Sequence, residues 1–332
     1  MHFSRRKSVV FSALILTVVL GASEMLLRAV GLRRAVPPRL ILRAIDIDIS
    51  FPFMRPDTEA FWTPRPGYQG TFQGTRVSIN ALGLRAPEID VPKPPDRRRL
   101  VCFGDSITFG YGVDDDQTYA ARLGRLLAAQ RMEVVNAGVT GYTSHQVRVR
   151  VSRVVPAVDA DFVTVCIGWN DGTLRPASDR EYAGHLRRTA AVDGLFDRLY
   201  LYRGLKNLYL RRDVKRLRGV PRQTRRVAPE HYRENLEHVV RFCRQRGTRI
   251  ALVALPRRKR PDEVPAASPY PELVRSLAAE WDVPLLEVGD LDGATTLPSN
   301  ASYFIDTLHF SPEGHALLAR ELARQLAALG WV

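Results

Sequence analysis

The chain predicts an α/β domain built on a parallel sheet covered on both faces, and two observations carry that expectation. From residue 99 onward, short runs rich in Val, Ile and Leu alternate with stretches of helical periodicity, the pattern of strands buried on both faces and joined by helices. Short polar motifs follow the ends of those runs, where an open parallel sheet places its site. Strands are expected at 100–103, 133–136, 162–167, 249–255 and 284–288, with helices at 119–130, 144–155, 231–245, 271–281 and 312–329 between and after them. The last helix starts with Ser311 as N-cap and Pro312 at its first position. No internal repeat is present.

Composition agrees with a globular chain. Of 332 residues, 45% are hydrophobic and 25% charged, enough apolar material for a sizeable core without a disulfide scaffold, so global disorder is excluded. Three cysteines, Cys102, Cys166 and Cys243, have no metal-type spacing. Cys102 and Cys166 lie in apolar strand runs and read as buried thiols. The unusual figure is a net charge of +14, which attracts anionic partners in general.

At the start, Arg5-Arg6-Lys7 precedes an apolar run of 14 residues, Val9 to Ala22, broken only by Ser12, Thr17 and Gly21. That is the layout of an export signal. The apolar pattern continues through Glu24 to Leu32, so about 20 residues could span a membrane with Glu24 and Arg28 at the interface. These two are four apart and could pair on one helix face. Two readings stand, an uncleaved transmembrane signal anchor and a signal peptide cut near Gly21-Ala22-Ser23. The continuing pattern favours the anchor over secretion after cleavage. Arg28, Arg33, Arg34, Arg39 and Arg43 follow the span, so the charge rule for topology is not clean. The favoured orientation keeps the short N-terminus inside and exports the catalytic part to the periplasmic or extracellular face.

The chain therefore divides into three regions: an anchor at 1–32, a Pro/Gly-rich extension with short strands at 33–98, and the α/β domain at 99–332. The extension has a β-like piece at 75–79, which suggests a small extended module or a wrap on the main domain, and a stiff Pro-rich linker at 91–95. A basic insertion at about 172–230 interrupts the α/β rhythm. Within it, residues 198–226 hold eleven Arg or Lys and one acid, Asp213. Recurring Leu201, Leu205, Leu208, Tyr209 and Leu217 suggest an amphipathic helix, either simply solvated or lying on anionic lipid or polymer. The net charge is therefore mostly local.

Four polar motifs carry chemistry. After the first strand comes Gly104-Asp105-Ser106, after the second Asn136-Ala137-Gly138, after the third Gly168-Trp169-Asn170-Asp171, and before the last helix Asp306-Thr307-Leu308-His309. Singly each has a structural explanation: a helix cap, a turn needing positive φ, turn residues, a hydrogen-bonded histidine. Together they supply every part of an acyl-transfer site. Ser106 can be the nucleophile, His309 the base and Asp306 the group that orients it. The Ser106 and Gly138 backbone amides with the Asn170 side-chain amide can form an oxyanion hole.

On these four blocks, in this order, the chain resembles the SGNH/GDSL hydrolases from about Arg99 to the C-terminus. The resemblance implies a flavodoxin-like three-layer α/β/α sandwich with a five-stranded parallel sheet, and Ser-His-Asp ester hydrolysis without metal or organic cofactor. The upstream Asn80-Ala-Leu-Gly-Leu-Arg85 is similar to a segment of exported bacterial members, with no role assigned to it. The basic insertion has no counterpart in the resemblance.

Competing motifs are missing. There is no Gly-x-Ser-x-Gly elbow, phosphate-binding loop or dinucleotide fingerprint. His231 and His238 lack metalloprotease spacing, and no nucleic-acid motif accompanies the charge. Arg257, Arg258 and Lys259, with Arg260, follow the fourth strand, either as a solvated loop or as a rim that recruits an anionic substrate. The expected function is a serine esterase acting on acyl, in particular O-acetyl, esters of a cell-envelope glycan or lipid. Two alternatives remain: an O-acyltransferase using the same triad, and a non-catalytic envelope module binding anionic polymer.

Overall fold

The computed structural model describes residues 5–30, 51–196, 199–202, 204–205, 224–255, 268–288 and 303–332. It divides into two units: Met1–Ser50 with Tyr182–Arg222, and Phe51–Glu181 with Gln223–Val332.

In the smaller unit the N-terminal apolar run is helical throughout. Helix α1 (Arg5–Ala29) has a mean hydropathy of 2.1 over Lys7–Ala29, and its side chains face outward. By length and composition it can cross a membrane, criteria that a signal sequence also meets. The anticipated pair forms, with Arg28 Nε donating to Glu24 Oε1 at 2.8 Å. Glu24 also accepts the N–H groups of Tyr200 and Leu201 at 3.0 and 2.8 Å, and Arg28 lies over the Tyr200 ring. Of the basic block, 198, 203 and 206–223 lie outside the described residues; of the amphipathic helix expected there, only the part at Leu201 and Leu205 is described, and it is helical.

The larger unit begins with two antiparallel hairpins, β1 (Met54–Asp57) with β2 (Phe61–Pro64) and β3 (Gln69–Phe72) with β4 (Thr75–Ser78). They wrap onto the α/β domain. Trp62 Nε1 donates to Thr140 O, Tyr142 Oη donates to Trp62 O, and Phe53 stacks on Phe109. The Pro-rich stretch is also tied down, since Lys93 is nearly buried and ion-paired with Asp161.

Five apolar runs then form one parallel sheet: β5 (Arg98–Gly104), β6 (Met132–Asn136), β7 (Phe162–Cys166), β10 (Arg249–Ala254) and β11 (Leu285–Glu287). Strands β8 (Leu174–Arg175) and β9 (Thr224–Arg225) pair antiparallel and staple the base of the insertion. The sheet order is β11-β10-β7-β5-β6. Counted along the chain this is 2-1-3-4-5, the flavodoxin-like order, with its switch point between β5 and β7.

The helices are α2 (Ser106–Phe109), α3 (Tyr119–Leu126), α4 (Ser144–Ala157), α5 (Asp179–Phe196), α6 (Pro229–Gln245), α7 (Tyr270–Glu280) and α8 (Pro312–Ala328). Side chains alternate across each strand. Leu100 and Cys102 join Leu123, Leu318 and Leu322 under α3 and α8, while α4, α6 and α7 cover the opposite face. Helix α3 is shorter than its periodicity suggests, because a 3₁₀ turn at Ala128–Gln130 closes on Arg131 at φ 54°. Ser311 caps α8 by accepting the Gly314 N–H at 3.1 Å. All three cysteines are free and buried, and burial pushes the Cys102 thiol up to about 11, which keeps it unreactive.

His315 on α8 accepts the Tyr119 N–H through Nδ1 at 3.1 Å. Burial, then the Arg85 and Arg122 charges, push its pKa down to about 3. In the unfolded chain it takes a proton below about pH 6.5 and in the folded chain only near 3, so its contribution to stability falls as pH drops through that window, by at most ~1.4 kcal/mol per unit. Buried Asp105 and Asp171, raised to about 6 and about 7, oppose this, since they hold protons that the unfolded chain releases above about 4. His315→Gln should therefore remove one component only. The stability difference between wild type and variant, from urea unfolding, is expected to shrink as pH falls from 6.5 to 4.5.

Candidate active site

The site forms at the carboxyl ends of β5 and β7. Gly104 ends β5 where no side chain fits, because a Cβ there would stand 2.6 Å from the Cys166 carbonyl oxygen. Asp105 then caps α2, its Oδ1 accepting the Ile107 N–H at 3.0 Å. Ser106 is thus the first residue of a short helix that closes at left-handed Gly110 (φ 88°). Burial raises the Asp105 carboxyl to about 6.

Gly138, after β6, is a glycine for a reason other than a turn. Its φ is not in the left-handed region, but a Cβ on it would lie 2.4 Å from Phe109 N and 2.7 Å from Thr108 C. It packs directly against the backbone of α2. Asn136 holds the two together: Nδ2 donates to the Thr108 and Phe109 carbonyls at 2.8 and 3.2 Å, and Oδ1 accepts the Gly138 N–H at 3.0 Å.

Asn170 follows β7. Its side-chain amide donates to Tyr142 O at 3.0 Å and to Asp105 Oδ2 at 3.3 Å, which brings it beside the turn that carries Ser106. Asp171 points into the interior, where Oδ1 accepts from Ser144 N and Oγ at 3.0 and 2.5 Å. Asn235 Nδ2 in turn donates to that Oγ at 3.0 Å. Burial raises the Asp171 carboxyl to about 7, against the Ser144 hydrogen bonds and the Arg226 charge that favour its ionised form.

Opposite them, a tight hairpin closed by the Phe304–Phe310 bridge and the bond from Ile305 N to His309 O presents residues 306–309. Asp306 Oδ1 accepts the N–H groups of Leu308 and His309, each at 2.7 Å, and Oδ2 lies 2.7 Å from His309 Nδ1. Partial burial works against the charge, but the bonds from the His309 ring and backbone outweigh it and hold the carboxyl below its usual range. His309 Nε2 is 2.9 Å from Ser106 Oγ. With Nδ1 facing a carboxylate, the neutral ring carries its proton there and leaves Nε2 to accept. The Tyr111 ring packs against His309, with centroids 4.5 Å apart.

The tertiary structure thus joins Ser106, His309 and Asp306 in one hydrogen-bonded chain, with Gly138 and Asn170 reaching the same turn. Arg257, Arg258 and Lys259 lie outside the described residues. Among the described residues, no group of three His, Cys, Asp or Glu side chains is placed to hold a metal ion.

Sequence reasoning misses two groups. Asn136 reads only as the end of the second strand and the start of the second polar block. Arg226 falls in a basic run that suggests a surface, but it is buried, with Nε and Nη2 each 3.0 Å from Asp179 carboxylate oxygens and Nη1 donating to Gly141 O at 2.8 Å. A charge run carries no local sign of which member will meet a buried acid.

The sequence profile described as the GDSL-like Lipase/Acylhydrolase family matches residues 102–317. No protein of curated function matches this chain. Similar solved structures include a lipase/acylhydrolase from Enterococcus faecalis (23% identity, TM-score 0.45, covering 70% of this chain and 96% of that one). A psychrotrophic esterase from Pseudoalteromonas has 15% identity and a TM-score of 0.46, covering 70% and 98%. A mutant acetyl-xylooligosaccharide esterase from Geobacillus has 22% identity and a TM-score of 0.44, covering 69% and 94%.

Proposed function

Because the chain belongs to the GDSL-like lipase/acylhydrolase family, and so acts on ester bonds, we propose that it is a serine esterase working through Ser106, His309 and Asp306. The observation that carries this reading is the continuous hydrogen-bonded chain from Asp306 Oδ2 through His309 to Ser106 Oγ.

Ser106 Oγ bonds to the ester carbonyl carbon while its proton passes to His309 Nε2. Asp306 stabilises the imidazolium that forms. The carbonyl electrons move to oxygen, where the Ser106 and Gly138 N–H groups and the Asn170 amide stabilise the oxyanion. The Gly138 N–H is bonded to Asn136 Oδ1, and the Asn170 amide to Tyr142 O and Asp105 Oδ2, so each donor has to exchange one of these bonds for the oxyanion. Collapse breaks the ester C–O bond, and the leaving alcohol takes the proton from His309. Water, giving its proton to His309, then attacks the acyl carbon; the bond to Ser106 Oγ breaks, Oγ takes the proton back from His309, and the acid leaves.

The substrate class we assign is an O-acetyl or short acyl ester of a cell-envelope glycan or lipid, met by a domain held at the membrane by α1. What supports retention of α1 is that its apolar helix continues past Gly21–Ser23, the place where export processing would cut. A panel of p-nitrophenyl esters of increasing chain length, together with acetylated envelope glycans, tests the assignment. Fastest turnover of long acyl chains would overturn it. Transfer to a sugar hydroxyl in place of water uses the same acyl-enzyme, and product analysis with an acceptor glycan separates the two.

Asn170→Ala should lower kcat by roughly 10²–10³ with little change in KM, the effect of losing one oxyanion donor. A loss under tenfold with normal folding would leave Asn170 a structural role only.

A further inference from the structure

The Asn80–Arg85 segment lies outside the four catalytic blocks, yet it reaches them. Asn80 Oδ1 accepts the N–H groups of Leu82 and Leu84 at 3.0 and 2.9 Å, and left-handed Gly83 (φ 75°) completes the turn. The Arg85 backbone N–H donates to Asn136 O at 3.1 Å. This delivers a buried guanidinium to the loop after the nucleophile helix. Nη1 donates to Phe109 O and Gly110 O at 2.9 and 2.6 Å, and Nη2 to Val113 O and Arg76 O, both at 2.8 Å. Nε donates to Asp115 Oδ1 at 2.9 Å. All five donors of the side chain are used.

Three of these acceptors flank Tyr111, one residue before it and two after, with Phe109 a step further back. Tyr111 N itself donates to Ser106 O at 3.0 Å, and its ring rests on His309. The imidazole therefore leans on a residue whose loop is clamped on both sides by one arginine. We propose that Arg85 is a positioning residue for the esterase reaction, fixing the 109–113 loop so that Tyr111 holds the His309 ring on Ser106 Oγ. This rests on the Ser106–His309 reading above. It gives the N-terminal wrap a part in catalysis without contact with substrate. Lysine cannot replace it, because an ammonium has three donors and no planar fork.

The test measures kcat and KM for a p-nitrophenyl ester with Arg85→Ala, Arg85→Lys, Tyr111→Ala and the Arg85→Ala/Tyr111→Ala double variant, per mole of folded enzyme. Expected is a fall in kcat of roughly 10–10²-fold for each single variant, the scale of a small misplacement of a catalytic group, with KM changed less than about threefold. The double variant should be little worse than either single one, because both act through the same ring. Added guanidinium should restore part of kcat to Arg85→Ala. Multiplying losses, or wild-type kcat in folded variants, would overturn the proposal. Should Arg85→Ala not fold, Arg85→Lys keeps the charge and the stem, and wild-type kcat in that variant would also overturn it. The Ser106→Ala control separates the two failures: if it stays active, the triad reading is wrong, and if it is inactive while the Arg85 variants match wild type, only the positioning role is wrong.

Discussion

Ser106→Ala is expected to abolish hydrolysis of a short-chain p-nitrophenyl ester, with kcat falling on the order of 10⁴–10⁶-fold, the range seen when a triad nucleophile is removed. Its effect on stability should be small. Ser106 is the first residue of α2, whose cap is the neighbouring Asp105 side chain, and alanine is favourable in a helix. Only the bond to His309 Nε2 is lost. A fluorophosphonate probe should label wild type and leave the variant unlabelled. Labelling of neither protein would favour a non-catalytic envelope module. Wild-type turnover in Ser106→Ala would remove the nucleophile assignment, and with it the roles given to His309 and Asp306.

Gly138→Ala is expected to be nearly as damaging with the nucleophile intact. The added methyl would meet Phe109 N at 2.4 Å and Thr108 C at 2.7 Å. Both are backbone atoms of the turn that carries Ser106, so no side chain can swing away to relieve the contact. Either α2 shifts, or Gly138 does and its N–H leaves the site. A loss of more than ~10² in kcat/KM is expected, with a stability cost of about 1–3 kcal/mol, typical of overpacking. Gly124→Ala is the control. It sits in α3 with its nearest neighbour at 3.5 Å, an ordinary contact, and should keep full activity with unchanged or slightly higher stability. Equal behaviour of the two variants would show that the close approach at Gly138 is not what the site depends on.

How much was legible depends on how local each feature is. The five strands emerge within a residue or two of their expected bounds, because burial on both faces leaves an uninterrupted apolar run in the sequence itself. The Ser311 cap needs only a neighbour three residues away. The extension is different. Its short strands suggest a small module or a wrap on the main domain and 91–95 a linker, but not the contacts made: Lys93 is nearly buried on Asp161, and Trp62 is tied to Thr140 and Tyr142. These partners are 68, 78 and 80 positions away, and no pattern near Lys93 or Trp62 announces them.

The four polar blocks carry the proposed chemistry, since residue type and position after a strand already point to a nucleophile, a base and amide donors. What they lack is the distance between them. Ser106 and His309 are 203 positions apart; the adjacency of β5 and β7 at the switch point joins the Ser106 and Asn170 loops, and the packing of α8 on α3 returns His309 to them. The sequence by itself determined the parallel α/β architecture and the family. The tertiary structure alone decided why Gly138 must be glycine, that Arg226 is buried on Asp179, and that Arg85 clamps the loop beside His309. The reason is the same in each case: local patterns record what a residue needs in order to be buried, whereas the partner that satisfies it is chosen by the packing of segments distant in the chain.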